Sequence, residues 1–78
     1  MKDTIARNLR LYRGRSGLSQ VDLAQRCGLS QTWISRLETG MANPTIETIE
    51  RLAQTLEVDA VQLLSDPEPR ERPEAEVA

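Results

Sequence analysis

The side chains in this sequence that could do chemistry are hydrogen-bonding groups, gathered in residues 19–40: SQVDLAQRCGLSQTWISRLETG. Ser19 and Gln20 open the stretch, and Ser30, Gln31, Thr32, Ser35 and Arg36 form the polar leading face of its second half. Hydroxyls, amides and a guanidinium make directional bonds to a polar partner, but none of them is a nucleophile with a base beside it. The chain has no histidine and one cysteine, Cys27, which excludes histidine-dependent triads and zinc sites. No metal and no cofactor is expected, and no pair of carboxylates flanks a plausible substrate cleft. The inventory points to recognition, not catalysis.

Positioning these groups requires two short helices. Val21, Leu23, Ala24 and Cys27 give the first an apolar stripe, and Ile34 and Leu37 give the second its own. Ser19 with Asp22 three residues later makes a capping-box pattern, Gly28 ends the first helix, and Leu29 fills the turn. Ser30 caps the second helix, which runs to about Thr39 before Gly40 closes it. A steep crossing of two helices needs a small residue, a turn residue tolerant of positive φ, and a branched apolar residue pointing back. Ala24, Gly28 and Ile34 stand in that order, the spacing of a helix-turn-helix. Cys27 continues the Leu23/Ala24 stripe and reads as a small core residue.

Two helices this short cannot bury both stripes alone, so the rest of the chain must supply core. Residues 3–16 place Ile5, Leu9 and Tyr12 on one helical face, with Asp3 as the expected cap and Gly17 as the C-terminal residue. Gly14 lies in the last turn, where fraying is expected. Arg7, Arg10 and Arg15 fall off the apolar stripe and read as a solvated face. After a loop at residues 41–44, Thr45 caps a fourth helix with Ile46, Ile49, Leu52, Ala53 and Leu56 at helical spacing. Asp59 caps a short fifth helix carrying Val61, Leu63 and Leu64. Residues 66–78, DPEPRERPEAEVA, hold three prolines and five acids and should be disordered. The expectation is an all-α, compact five-helix domain over residues 1–65 with an acidic tail. Nothing in it spans a membrane or reads as a secretory leader, and cysteine usage is compatible with a reducing cytoplasm.

A net charge of −2 looks wrong for a polyanion binder, but its distribution does not. Residues 1–40 carry seven cations against three acids, whereas residues 41–65 and 66–78 are each net −3. The molecule is polarised, and local field decides where a polyanion docks.

The stretch LSQVDLAQRCGLSQTWISRLETGMANPTIETIERLA resembles the phage repressor/Cro-like (Xre-type) DNA-binding domain, and the resemblance extends from Ile5 to Leu64. Phage repressors of this class are among the standard helix-turn-helix examples. The resemblance implies that the third helix lies in the DNA major groove and that dimers read two half-sites of a near-palindrome. It also implies a stand-alone form with no sensing domain. By position, Gln31, Thr32 and Arg36 are the base-contacting residues. Glutamine suits adenine, arginine suits guanine, and the threonine methyl suits thymine. Ser19, Gln20, Ser30, Ser35, Thr39 and Asn43 are expected at the DNA backbone, helped by the positive end of the second helix. Trp33 is open between groove contact and partial burial. Arg13 and Glu38 match positions that tie the first and third helices by a partly buried ion pair. Val58, Val61, Leu63 and Leu64 are expected at the dimer interface.

The implied function is a sequence-specific, homodimeric transcriptional regulator of double-stranded DNA, read first as a repressor, including of its own promoter. Activation through RNA polymerase is open too, as in the controller proteins of restriction–modification systems. An antitoxin-like protein-interaction module is the competing class, and a small enzyme the third. A regulator of this kind is expected in the cytoplasm, associated with the nucleoid.

Overall fold

The computed structural model describes residues 2–65; the expectation of a disordered tail over residues 66–78 lies outside them. Five helices follow in order: α1 (Lys2–Ser16), α2 (Gln20–Cys27), α3 (Gln31–Glu38), α4 (Ile46–Leu56) and α5 (Ala60–Leu64), with no strand among the described residues. The fold is all-α. None of these helices is long and apolar enough to cross a membrane.

The helix boundaries follow from local chemistry. Ser19 Oγ accepts from the Asp22 N–H at 3.0 Å and Asp22 Oδ2 accepts from the Ser19 N–H at 3.3 Å, a reciprocal cap that satisfies two otherwise orphaned donors. Ser30 and Thr45 cap α3 and α4 by accepting from the Trp33 and Thr48 N–H groups, each at 3.1 Å. Gly28 sits at φ 72°, which lets the Leu29 N–H turn back onto the Ala24 carbonyl at 2.9 Å and swings the chain into α3. A side chain at that φ would be strained, so the tight turn between α2 and α3 depends on this glycine. α4 ends in the same geometry, the Val58 N–H reaching the Ala53 carbonyl at 2.9 Å, but there the left-handed residue is Glu57, at φ 60°.

One core joins all five helices. Ile5 and Leu9 from α1, Leu23, Ala24 and Cys27 from α2, and Ile34 and Leu37 from α3 meet Ile49, Leu52, Ala53 and Leu56 from α4 and Leu63 from α5. α2 and α3 pack on each other, α3 also packs on α1, and α5 closes on α1 and α4. The thiol of Cys27 is buried and donates to Thr55 Oγ1 at 3.3 Å.

Several expectations need correcting. α1 already begins at Lys2, so Asp3 lies in its first turn and is not its cap. The helix also runs through Gly14 to Ser16, closed by the Gly17 N–H on the Gly14 carbonyl. Val21 and Ile46, counted into apolar stripes, are 47% and 63% exposed. Each occupies the first or second position of its helix, where a helical period reaches past the buried arc. Leu63, expected at a dimer surface, is fully buried in the core of its own chain. Only Val61 of that group is a large exposed apolar residue, with Val58 and Leu64 half-buried against the core.

Candidate nucleic-acid interface

α3 has one buried and one exposed side. Ile34, Leu37 and Glu38 turn inward, while Gln31, Thr32 and Arg36 are exposed. Trp33 lies between the two groups, half-buried and packed against the core cluster. Ser35 is likewise half-buried. The exposed side chains on α3 thus supply an amide, a hydroxyl with its methyl, and a guanidinium, all directional groups held on a rigid element.

Behind this face is a polar network reaching from the interior to the surface. Glu38 is buried at 3% exposure, and Arg13 of α1 grips it with a fork: Nε donates to Oε2 at 2.5 Å and Nη2 to Oε1 at 3.0 Å. That hydrogen bond raises the Arg13 guanidinium above its ordinary value, with burial opposing and Coulomb attraction adding to the rise. Arg13 Nη1 also donates to the Leu18 carbonyl at 2.9 Å, pinning the chain just before α2. Arg10 Nη1 donates to the Glu38 carbonyl, placing a cation at the negative end of α3. Gln20, the first residue of α2, donates through Nε2 to Glu38 Oε1 at 2.9 Å. Its Oε1 then accepts from Gln31 Nε2 at 3.1 Å. The chain of bonds therefore runs Arg13, Glu38, Gln20, Gln31, and fixes an exposed α3 amide by way of a buried carboxylate.

Apart from half-buried Ser35, the positions named from sequence as backbone contacts fall into three groups. Ser19 and Ser30 spend their oxygens as acceptors in helix caps, which leaves each hydroxyl proton free to donate. Gln20 and Thr39 are already engaged. Gln20 is part of the network, and Thr39 Oγ1 donates to the carbonyls of Ser35 at 3.0 Å and Arg36 at 3.2 Å, so its proton is committed within its own helix end. Asn43 is exposed in the loop before α4. Sequence reading missed Gln20 as a bridge and Arg10 as a cap on α3. It also missed Asn8, whose Nδ2 lies 3.1, 2.9 and 2.7 Å from the carbonyls of Gln62, Leu63 and Ser65. The signal for Asn8 was present: an amide at 1% exposure interrupts the face defined by Ile5, Leu9 and Tyr12. No group of three or more histidine, cysteine or acidic side chains that could hold a metal occurs among the described residues.

Comparison with known proteins agrees with this geometry. Residues 4–64 match the family described as helix-turn-helix domain. A Neisseria hypothetical transcription factor from Neisseria meningitidis serogroup B is 40% identical over 70 residues, covering 90% of this chain and 66% of that protein. The chain thus spans just under two thirds of that relative's length. The crystal structure of hypothetical transcription factor NHTF from Neisseria superposes with a TM-score of 0.86 at 39% identity, covering 91% of this chain and 82% of the other. The crystal structure of SinR, a master regulator for biofilm formation, in complex with DNA gives 0.75 at 29% identity, covering 78% and 98%. With the family match spanning all five helices, the chain belongs to the helix-turn-helix family, as a transcriptional regulator domain of the Xre type.

Proposed function

We propose that the chain is a homodimeric regulator that reads a near-palindromic operator with α3 in the major groove. Gln31, Thr32 and Arg36 face the bases, Ser19, Ser30, Ser35 and Asn43 face the backbone, and Gln20, its amide engaged on both sides, braces Gln31 from behind. The observation that carries this reading is the bond that Gln31 donates to Gln20, backed by Glu38 and Arg13. An exposed glutamine is ordinarily free to rotate. Here its amide is oriented before any partner arrives, which lowers the ordering cost of a bidentate contact to a base. The likeness to SinR, solved in complex with DNA, supports DNA as the partner.

Several features shape how such a site works. Residues 41–43 carry no charge, so each protomer releases few counterions and its salt slope is shallow. Two half-sites joined in one complex then supply the affinity that one lacks. The second copy pairs through the α5 end, where Val61 is exposed beside half-buried Val58 and Leu64. Leu63 supports that surface from inside. Repression is the primary reading, exerted by occupying promoter DNA in the cytoplasm at the nucleoid; contact with RNA polymerase is the activating variant.

The test is binding to the chain's own upstream DNA across a salt series. Arg36→Ala and Gln31→Ala should each weaken it by about 1–3 kcal/mol and relax preference at one base position, with melting temperature unchanged. If both variants bind the upstream duplex like the parent, the base-contact assignment is wrong. If no duplex outcompetes random DNA at moderate salt, an antitoxin-like role in masking another protein replaces this reading.

A further inference from the structure

Asn8 fixes more than the end of α5. By holding the Ser65 carbonyl at 2.7 Å, it places Ser65, the last described residue, beside α1. On α1, Arg7, Leu11 and Arg15 recur every four residues along the edge next to Asn8, and all are exposed. The Arg15 guanidinium lies 5.5 Å from the centre of the Tyr12 ring, on the same side of the helix. Among the described residues the one ion pair is Arg13–Glu38, and no described carboxylate pairs with Arg7 or Arg15. The segment that starts here carries Asp66, Glu68, Glu71, Glu74 and Glu76 against Arg70 and Arg72.

We propose that residues 66–78 dock on the basic Arg7–Leu11–Arg15 edge of α1 and shield it from nucleic acid of any sequence. Charge complementarity and tethering both favour this occupant. Arg7 and Arg15 lie about 12 Å apart along the helix, and a chain extends about 3.3 Å per residue, so the first acids reach both arginines. Attachment at Ser65 makes the encounter intramolecular, with an effective concentration in the millimolar range, which offsets the weakness of exposed ion pairs. DNA phosphates must displace the segment to use this edge, and the reading residues on α3 are untouched. Random duplex, which binds only through charge, is therefore penalised more than an operator held by base contacts.

The test is a cycle in the 78-residue chain, comparing the parent, a tail variant (D66N/E68Q/E71Q/E74Q/E76Q), an edge variant (R7Q/R15Q) and their combination. Affinity for random duplex is measured at about 20 mM salt, where the Debye length is long. Neutralising the tail should tighten binding on the order of tenfold in the parent and less than about twofold in R7Q/R15Q. Backbone amide signals of Arg7, Leu11 and Arg15 should shift on raising salt in the parent and stay still in the tail variant. Equal tightening in both backgrounds would mean that the tail acts through net charge at a distance, and docking is refuted. No tightening in either background, or α1 signals blind to the tail, refutes it too. The outcome is separable from the operator reading, because a tail effect on random duplex does not require that any operator be preferred.

Discussion

Two polar side chains are buried among the described residues, Glu38 and Asn8, and α1 takes part in holding both. Their surroundings differ in kind. Glu38 is a charge, held by the Arg13 fork and continued outward through Gln20 to the surface of α3. Asn8 is neutral, and its bonds end on three carbonyls at the close of α5. The first centre ties α1 to the helices that face a partner. The second ties α1 to the helix from which the tail departs. A charged centre costs more when broken, because the surviving partner is left without water or counter-charge. A neutral amide loses only the desolvation of unmatched carbonyls. The interface is thus held by the stiffer of the two, and α5 by the one that opens more readily.

The largest expected effect tests that ranking. Arg13→Ala leaves a carboxylate at 3% exposure with Gln20 as its one remaining side-chain donor, and also frees the Leu18 carbonyl. A loss of about 3–5 kcal/mol is expected, seen as a fall in melting temperature of about 15 °C or more. Glu38→Ala should cost less, because Arg13 at 22% exposure can still turn its guanidinium to water. Equal losses would mean that the two ends of the pair are equally buried in solution. The sign of the pH dependence follows from the raised Arg13 value. A cation whose folded pKa lies above its unfolded one stabilises the fold below the unfolded value, and that stability is lost only as pH climbs through the raised one. Between about pH 7 and 10 the guanidinium side of the pair should therefore take nothing from the melting temperature.

Asn8→Ala comes next, at about 1–3 kcal/mol. Its sharper readout is hydrogen exchange: amides of α5 should lose protection well before those of Leu23 or Ile34. Uniform loss across the chain would show that α5 does not open as a separate unit, and the contrast with the Glu38 centre would collapse.

These centres also mark where the sequence could and could not be read. The five helices and the three side-chain caps at Ser19, Ser30 and Thr45 were legible because capping and turn chemistry are local: each signal lies within four residues of its effect. Arg13 and Glu38 were paired only through family likeness, since they are 25 positions apart and no periodicity joins them. Gln20 looked like a phosphate ligand because its distance from Glu38 is a property of the packed helices, not of the chain. Asn8 was visible as a polar interruption of an apolar face, but its carbonyl partners are 54 to 57 residues away. Leu63 failed differently. Apolar residues on a five-residue helix are too few to define an arc, so buried and exposed members could not be separated.

Gln20→Ala asks whether the charged centre serves the surface or only the fold. Glu38 keeps the Arg13 fork, so stability should fall by no more than about 1 kcal/mol. Gln31 loses its anchor, and discrimination at the base it reads should relax by about as much, with little change in binding to random duplex. A stability loss as large as that of Arg13→Ala would show that Gln20 is mainly a support for Glu38.

The smallest effect belongs to the α5 side and has the opposite sign. Glu57 ends α4 at φ 60°, the left-handed position that Gly28 fills at the end of α2. A residue with a Cβ is strained there by roughly 1 kcal/mol. The apolar series marks Leu56 as the end of this helix, but glutamate gives no sequence signal of the left-handed residue that closes it. Its side chain is exposed and accepts none of the hydrogen bonds that close the turn, which run between backbone groups. Glu57→Gly should therefore relieve strain, partly offset by the extra freedom glycine gains in the unfolded chain, for a net stabilisation of about 0.5 kcal/mol. The gain should appear as slower hydrogen exchange in α5 and leave operator binding unchanged. If the variant instead melts earlier, the unfolded-state entropy outweighs the strain at this turn, and the weaker hold on α5 rests on Asn8 and Leu63 alone.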